Sequence, residues 1–215
     1  MSDTLIIFGG WARSPKSYEN LISSAPLGWK VLVVPHQELM PVSDASKLNK
    51  NILRFLEKHN LSRINLLGHS LGGSLALEFA YANHNNVKRL FLVDSEGIFG
   101  NETIFEVGRN FFKSHLLHTS KKILENIRSI ARIVRKPVMH MSLAKHAHRI
   151  DLQTEAKSIK VPTTILWGEK DRLTPLWQAQ RLHRLIKESR LVVLKNMDHD
   201  WILHFPEGFW NNLSS

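Results

Sequence analysis

The 215-residue chain is 43% hydrophobic and 22% charged, with 11 glycines and 8 prolines, enough apolar material for one buried core and no long low-complexity segment. It has no cysteine, which excludes disulfides, thiolate metal sites and a cysteine nucleophile and suits a reducing compartment. Its net charge of +10 is concentrated between residues 97 and 160, where 12 Lys and Arg stand against 5 Asp and Glu; that suits an acidic partner or a plain solvated face, and selects no function by itself.

The N-terminus runs Met1-Ser2-Asp3-Thr4 into an apolar stretch, without the basic start and small-residue cleavage site of a secretory signal. No segment approaches the roughly 20 apolar residues that span a bilayer, so the expected location is cytoplasmic. Leu5 to Phe8, ended by Gly9-Gly10, reads as a buried strand feeding a tight turn. Lys30 to Val34, Ile64 to Leu67, Leu90 to Val93, Thr163 to Trp167 and Leu191 to Leu194 supply five more. Helical patterns separate them. Ser43 caps a series at Ala45, Leu48, Ile52 and Phe55; Gly72 to Ala82 is almost uncharged; and Thr174-Pro175 starts a helix through Leu182 and Leu185. The alternation predicts an α/β fold, a mostly parallel sheet of about six strands with helices on both faces.

Residues 97–160 break the alternation and show no convincing strand. The clearest pattern there is Ser120 to Arg135, with Ile123, Leu124, Ile127, Ile130, Ala131 and Val134 on one stripe and five Lys and Arg elsewhere. The expected division is therefore a core over 1–96 and 161–215 with a helical cap inserted at 97–160.

Chemistry concentrates in Gly68-His69-Ser70-Leu71-Gly72, between a buried strand and a helix. A serine on such a turn adopts a strained backbone that lifts its hydroxyl above the sheet, and small residues two positions to either side permit the close approach. A hydroxyl needs a base to become a nucleophile. Of the 12 histidines, His199 follows the strand Leu191 to Leu194 through a short loop and leads into the last helix. Asp171, just after the strand ending at Trp167, reaches the same edge of the sheet and is the expected acid; Asp94, after Val93, is its rival. His69 leaves the elbow in another direction, packed or hydrogen-bonded, and Asp198 and Asp200 point away from His199. Backbone N–H groups of Leu71 and Trp11 are the expected oxyanion donors, although Trp11 also reads as a packed aromatic.

With these pieces in the order nucleophile, acid, base, the chain resembles an α/β-hydrolase over nearly its full length. The resemblance implies a central Ser70, the cap between Val93 and Thr163, and a reduced sheet that begins at what would be the third strand. Gly9 stands where many relatives carry histidine. Within that fold the Gly9-Gly10-Trp11 loop and compact cap are similar to the pimeloyl-carrier-protein methyl ester esterases, which implies an ester substrate on an acidic carrier protein, a partner suited to a basic cap.

The expected activity is hydrolysis of a carboxylic ester, thioester or lactone through an acyl-enzyme on Ser70. The same residues also serve acyl transfer or cleavage of an activated C–C bond, and a third reading is a non-catalytic ligand-binding protein on a hydrolase scaffold. The scheme needs no cofactor. His140, His146 and His148 lack acidic neighbours at ligand spacing, so no metal is expected, and no motif supports nucleic-acid binding. Phe99, Phe105, Phe111 and Phe112, with Trp11, Leu71 and Ile98, are the expected lining of an apolar substrate pocket.

Overall fold

Six apolar runs form six strands: β1 (Asp3–Phe8), β2 (Trp29–Val34), β3 (Ile64–His69), β4 (Val87–Val93), β5 (Thr163–Gly168) and β6 (Ser189–Leu194). In the computed structural model, which describes residues 3–98, 120–149 and 151–213, they pair in the order β2-β1-β3-β4-β5-β6, every pair parallel. The central strands carry short hydrophobic runs, Leu66-Leu67, Leu90 to Val93 and Ile165 to Trp167, because both faces are covered. Ile6, Phe8, Leu66, Leu90, Leu92, Ile165 and Trp167 enter one apolar cluster, and Leu5, Ile7, Leu67, Phe91, Val93 and Leu166 enter the other. All of these are essentially inaccessible to water, and each contributes about 1.5–3 kcal/mol relative to exposure.

The helices, in chain order, are α1 (Glu19–Ser23), α2 (Ala45–Lys58), α3 (Leu71–Ala82), α4 (Ser120–Arg135), α5 (Pro137–Arg149), α6 (Gln153–Lys157), α7 (Leu176–Leu185), α8 (Trp201–His204) and α9 (Glu207–Trp210). Residues of α2, α3 and α7 fill the first cluster; residues of α1, α8 and α9 fill the second. The sheet thus carries helices on both faces, as expected. α3 is the most deeply set, buried from Leu71 through Ala80, and its single charged residue, Glu78, accepts a 2.8 Å bond from His146 Nε2 of α5.

One local expectation is corrected. The N-cap of α2 is Asp44, whose carboxylate accepts from Lys47 N at 2.9 Å; Ser43 instead donates its hydroxyl to that carboxylate. An anionic cap is the better acceptor for a backbone N–H at a helix start. In the described part of α4 the apolar stripe is not the buried face. Ile127 and Val134 are 57% and 72% exposed, whereas Ser129 is fully buried. The helix turns inward the residues that bond the loop after β1: Ser129 Oγ lies 3.5 Å from Arg13 Nη1, and Arg132 Nη1 donates to Ala12 O at 2.9 Å. Among the described residues no helix is long and apolar enough to cross a membrane.

Candidate active site

Parallel strands end on one edge, and the loops after β1, β3, β4, β5 and β6 all meet there. The chain winds outward in opposite directions from β1 and β3, so the gap between their carboxyl ends is the point where α/β sheets gather their functional groups. Ser70 follows β3 with φ 54° and ψ −126°, a conformation that costs a non-glycine residue on the order of 1–3 kcal/mol. Its backbone is held on three sides: Ser70 N donates to Val93 O at 3.0 Å, and Ser70 O accepts from Gly73 N at 2.8 Å and Glu96 N at 3.0 Å. The flanking glycines are required by crowding. A Cβ on Gly68 would lie 2.5 Å from Gly72 O and from Gly73 Cα, and one on Gly72 would collide with Phe8 O.

His199, in the loop after β6, has Nε2 2.9 Å from Ser70 Oγ and Nδ1 2.7 Å from Asp171 Oδ2. A carboxylate only accepts, so Nδ1 carries the proton of the neutral ring and Nε2 is left to accept from the serine hydroxyl. The structure therefore brings Ser70, His199 and Asp171 into one hydrogen-bonded line. Burial alone would lower the His199 pKa, but Asp171, with Asp200 and Glu96 further off, raises it above the ordinary histidine value. Burial likewise opposes the charged form of Asp171, and the His199 contact together with the Thr174 bonds overcomes it, holding the carboxyl below its usual range.

Thr174 was read from the sequence as a helix cap. Its Oγ1 instead lies 2.5 Å from Asp171 Oδ2, and the amides of Leu173 and Thr174 donate to Asp171 Oδ1 at 2.7 and 3.0 Å. α7 starts after the extended Pro175 with no side-chain cap bond. Asp94 lies on the same side. It is fully buried, accepts from Gly168 N at 2.8 Å, and is pushed well above the carboxylate range by burial and by the neighbouring Asp171 charge. Of the two acids, Asp171 bonds the histidine, and Asp94 is the one whose carboxyl is pushed up.

At the other side of Ser70, Gly10 N donates to the Tyr18 hydroxyl at 2.9 Å and the Trp11 indole donates to His140 O of α5 at 2.9 Å. Leu71 opens α3 beside the serine and is buried among the first cluster, as is Ile98. Asp200 holds Arg13 in a two-pronged ion pair, both distances 2.8 Å. Phe99, Phe105, Phe111 and Phe112 lie outside the described residues. Among the described residues no group of three or more acidic or histidine side chains is gathered to hold a metal.

Sheet order, elbow and the serine–histidine–carboxylate line define the α/β-hydrolase fold. The chain belongs to the Hydrolase_4 family (serine aminopeptidase, S33), whose model matches residues 31–204, and it is a serine hydrolase. It is 27% identical to the pimeloyl-[acyl-carrier protein] methyl ester esterase of Neisseria meningitidis, over 93% of this chain and 87% of that one. It is 24% identical to a 2-hydroxy-6-oxononadienedioate/2-hydroxy-6-oxononatrienedioate hydrolase of Pseudomonas putida, over 88% and 76% of the two chains. Among solved structures, the enol-lactonase of Burkholderia xenovorans LB400 superposes with a TM-score of 0.79 at 16% identity, covering 98% of this chain and 89% of that one.

Proposed function

We propose that the protein hydrolyses a carboxylic ester through an acyl-enzyme on Ser70. The observation that carries this reading is the line Ser70 Oγ–His199 Nε2–Nδ1–Asp171 Oδ2, with both contacts under 3 Å, at a serine held in a strained turn. Ser70 Oγ attacks the ester carbonyl while His199 Nε2 takes the hydroxyl proton. The amides of Leu71 and Trp11 face the developing oxyanion. Collapse breaks the bond to the alcohol oxygen, which leaves with the proton from His199. Water then attacks the acyl carbon, His199 takes its proton, and the acid departs as that proton returns to Ser70. Asp171 keeps the imidazole in the required tautomer and stabilises its charged form.

In this reading the excess of Lys and Arg over Asp and Glu in residues 97–160 is the feature that would meet an acidic partner. The similarity to an esterase that acts on a carrier-borne ester, and the positive charge of that segment, support a substrate on an acidic carrier protein. The test is a chain-length series of p-nitrophenyl esters and one acyl-carrier methyl ester, with wild type and Ser70→Ala. Wild-type turnover that falls about a thousandfold or more in Ser70→Ala supports the reading. Turnover that survives the substitution sinks it, and turnover only of a vinylogous diketone would assign the same residues to C–C cleavage.

A further inference from the structure

Tyr18 and His69 are polar, buried and outside the hydrolytic scheme, at 0% and 1% exposure. His69 Nε2 lies 3.2 Å from the backbone oxygen of His199, and its Nδ1 lies 2.8 Å from the Tyr18 hydroxyl, which in turn receives Gly10 N–H at 2.9 Å. The proton positions along this path are forced. A carbonyl only accepts, so Nε2 must carry the ring proton. A neutral ring then accepts at Nδ1, so Tyr18 must donate there, and its oxygen remains open to the Gly10 amide. Burial, reinforced by the nearby His199, holds the His69 pKa down to about 4, which keeps the ring in that neutral form. The result is an unbroken neutral relay from the loop after β1 to the loop after β6, passing beneath Ser70.

The backbone around it is fitted to this relay. A Cβ on Gly9 would lie 3.0 Å from Tyr18 Cε2, and one on Gly10 would lie 3.2 Å from Ser70 Cβ and 3.4 Å from His69 Nδ1. The phenol occupies the space a side chain at position 9 would need. With its N–H committed to Tyr18, Gly10 is no oxyanion donor, and the next amide, Trp11, is aimed by where Gly10 is held.

We propose that Tyr18 and His69 are positioning residues that fix the Gly9–Trp11 loop to the His199 backbone, so that oxyanion donor and base keep one spacing about Ser70. This rests on the roles proposed above for Ser70 and His199. The test is Tyr18→Phe, which deletes one oxygen. Active sites are titrated with a fluorophosphonate, and kcat, KM and the inhibition constant of a trifluoromethyl ketone, whose adduct carries an oxyanion, are measured. The expected result is kcat per titrated site down about 10- to 100-fold, KM within about threefold, and ketone affinity weakened in parallel with kcat. A kcat per titrated site within about twofold of wild type overturns the proposal, as does a fall in kcat with unchanged ketone affinity. A loss confined to the number of titratable sites marks Tyr18 as a folding residue only, and overturns it too. Failure of the underlying reading looks different: wild type then resists the fluorophosphonate, or Ser70→Ala retains turnover, and the relay's role falls with it.

Discussion

The two flanks of Ser70 solve the same problem, ordering polar groups where water is excluded, in opposite ways. On the β4–β5–β6 flank the means is charge. Asp171 is held ionised by His199, Thr174 and two backbone amides, while burial and that charge push the carboxyl of the adjoining Asp94 up. On the β1–β3 flank the Arg13–Asp200 charges are paired with each other, and the rest is a chain of neutral donors and acceptors through Gly10, Tyr18, His69 and the His199 carbonyl. The proposed chemistry explains the division. A base that becomes positive during the reaction gains from a fixed negative charge, whereas a site that must receive an oxyanion would be opposed by one. An unbalanced negative charge sits behind the base; paired charges and neutral groups sit behind the oxyanion.

The largest expected effects break this comparison at the charged flank. Asp171→Asn should lower kcat by on the order of 10⁴, since the amide removes the charge and leaves His199 free to take the wrong tautomer. Asp94→Asn is an isostere of the protonated carboxyl that the upward shift favours, and it should leave kcat/KM within about tenfold of wild type. Kinetics of the two variants on one ester decide the matter. If Asp94→Asn is as damaging as Asp171→Asn, the charge is shared between the two acids and the assignment above is wrong.

A smaller effect sharpens the picture of how Asp171 is held. Thr174→Val keeps the shape and the Thr174 amide but deletes the hydroxyl that bonds Asp171 Oδ2. A hydrogen bond to an ionised group is worth about 1.5–3 kcal/mol, so kcat/KM should fall roughly 10- to 100-fold. Unchanged kcat/KM would show that the amides of Leu173 and Thr174 orient the carboxylate unaided.

Thr174 also shows where the sequence stopped being legible. The sheet was readable because each strand is a short run of apolar residues buried on both faces, and the elbow because a strained turn demands glycines at fixed spacing. Those signals are local. Ser70, Asp171 and His199 could be nominated because each follows a strand, and parallel strands end on one edge. Thr174 has an equally good local reading as a helix cap, and only the return of the chain at His199 makes it a partner of Asp171. Tyr18 and His69 meet across 51 residues, with nothing in either neighbourhood to announce it. The contacts of α4 were hidden for the same reason, since Ser129 and Arg132 meet Arg13 and Ala12, more than 100 residues away in sequence.

Glu96 offers the mildest and most specific test of the charged flank. Its amide bonds Ser70 O, and its carboxyl, raised by burial to about 7, adds to the negative potential that favours protonated His199. The base acts only when neutral, so kcat/KM should climb with pH through the His199 pKa, and that climb should lie above 6.5 because the pKa is raised. Glu96→Gln removes a charge that favours the imidazolium, which lowers that pKa, and the climb should move to lower pH by a fraction of a unit. Its shape should change as well. As Glu96 ionises, at about 7, it tightens the proton on His199, which distorts the climb; the variant should follow a single-proton curve. A climb that stays in place, or moves to higher pH, would place the Glu96 carboxyl outside the electrostatic reach of the base.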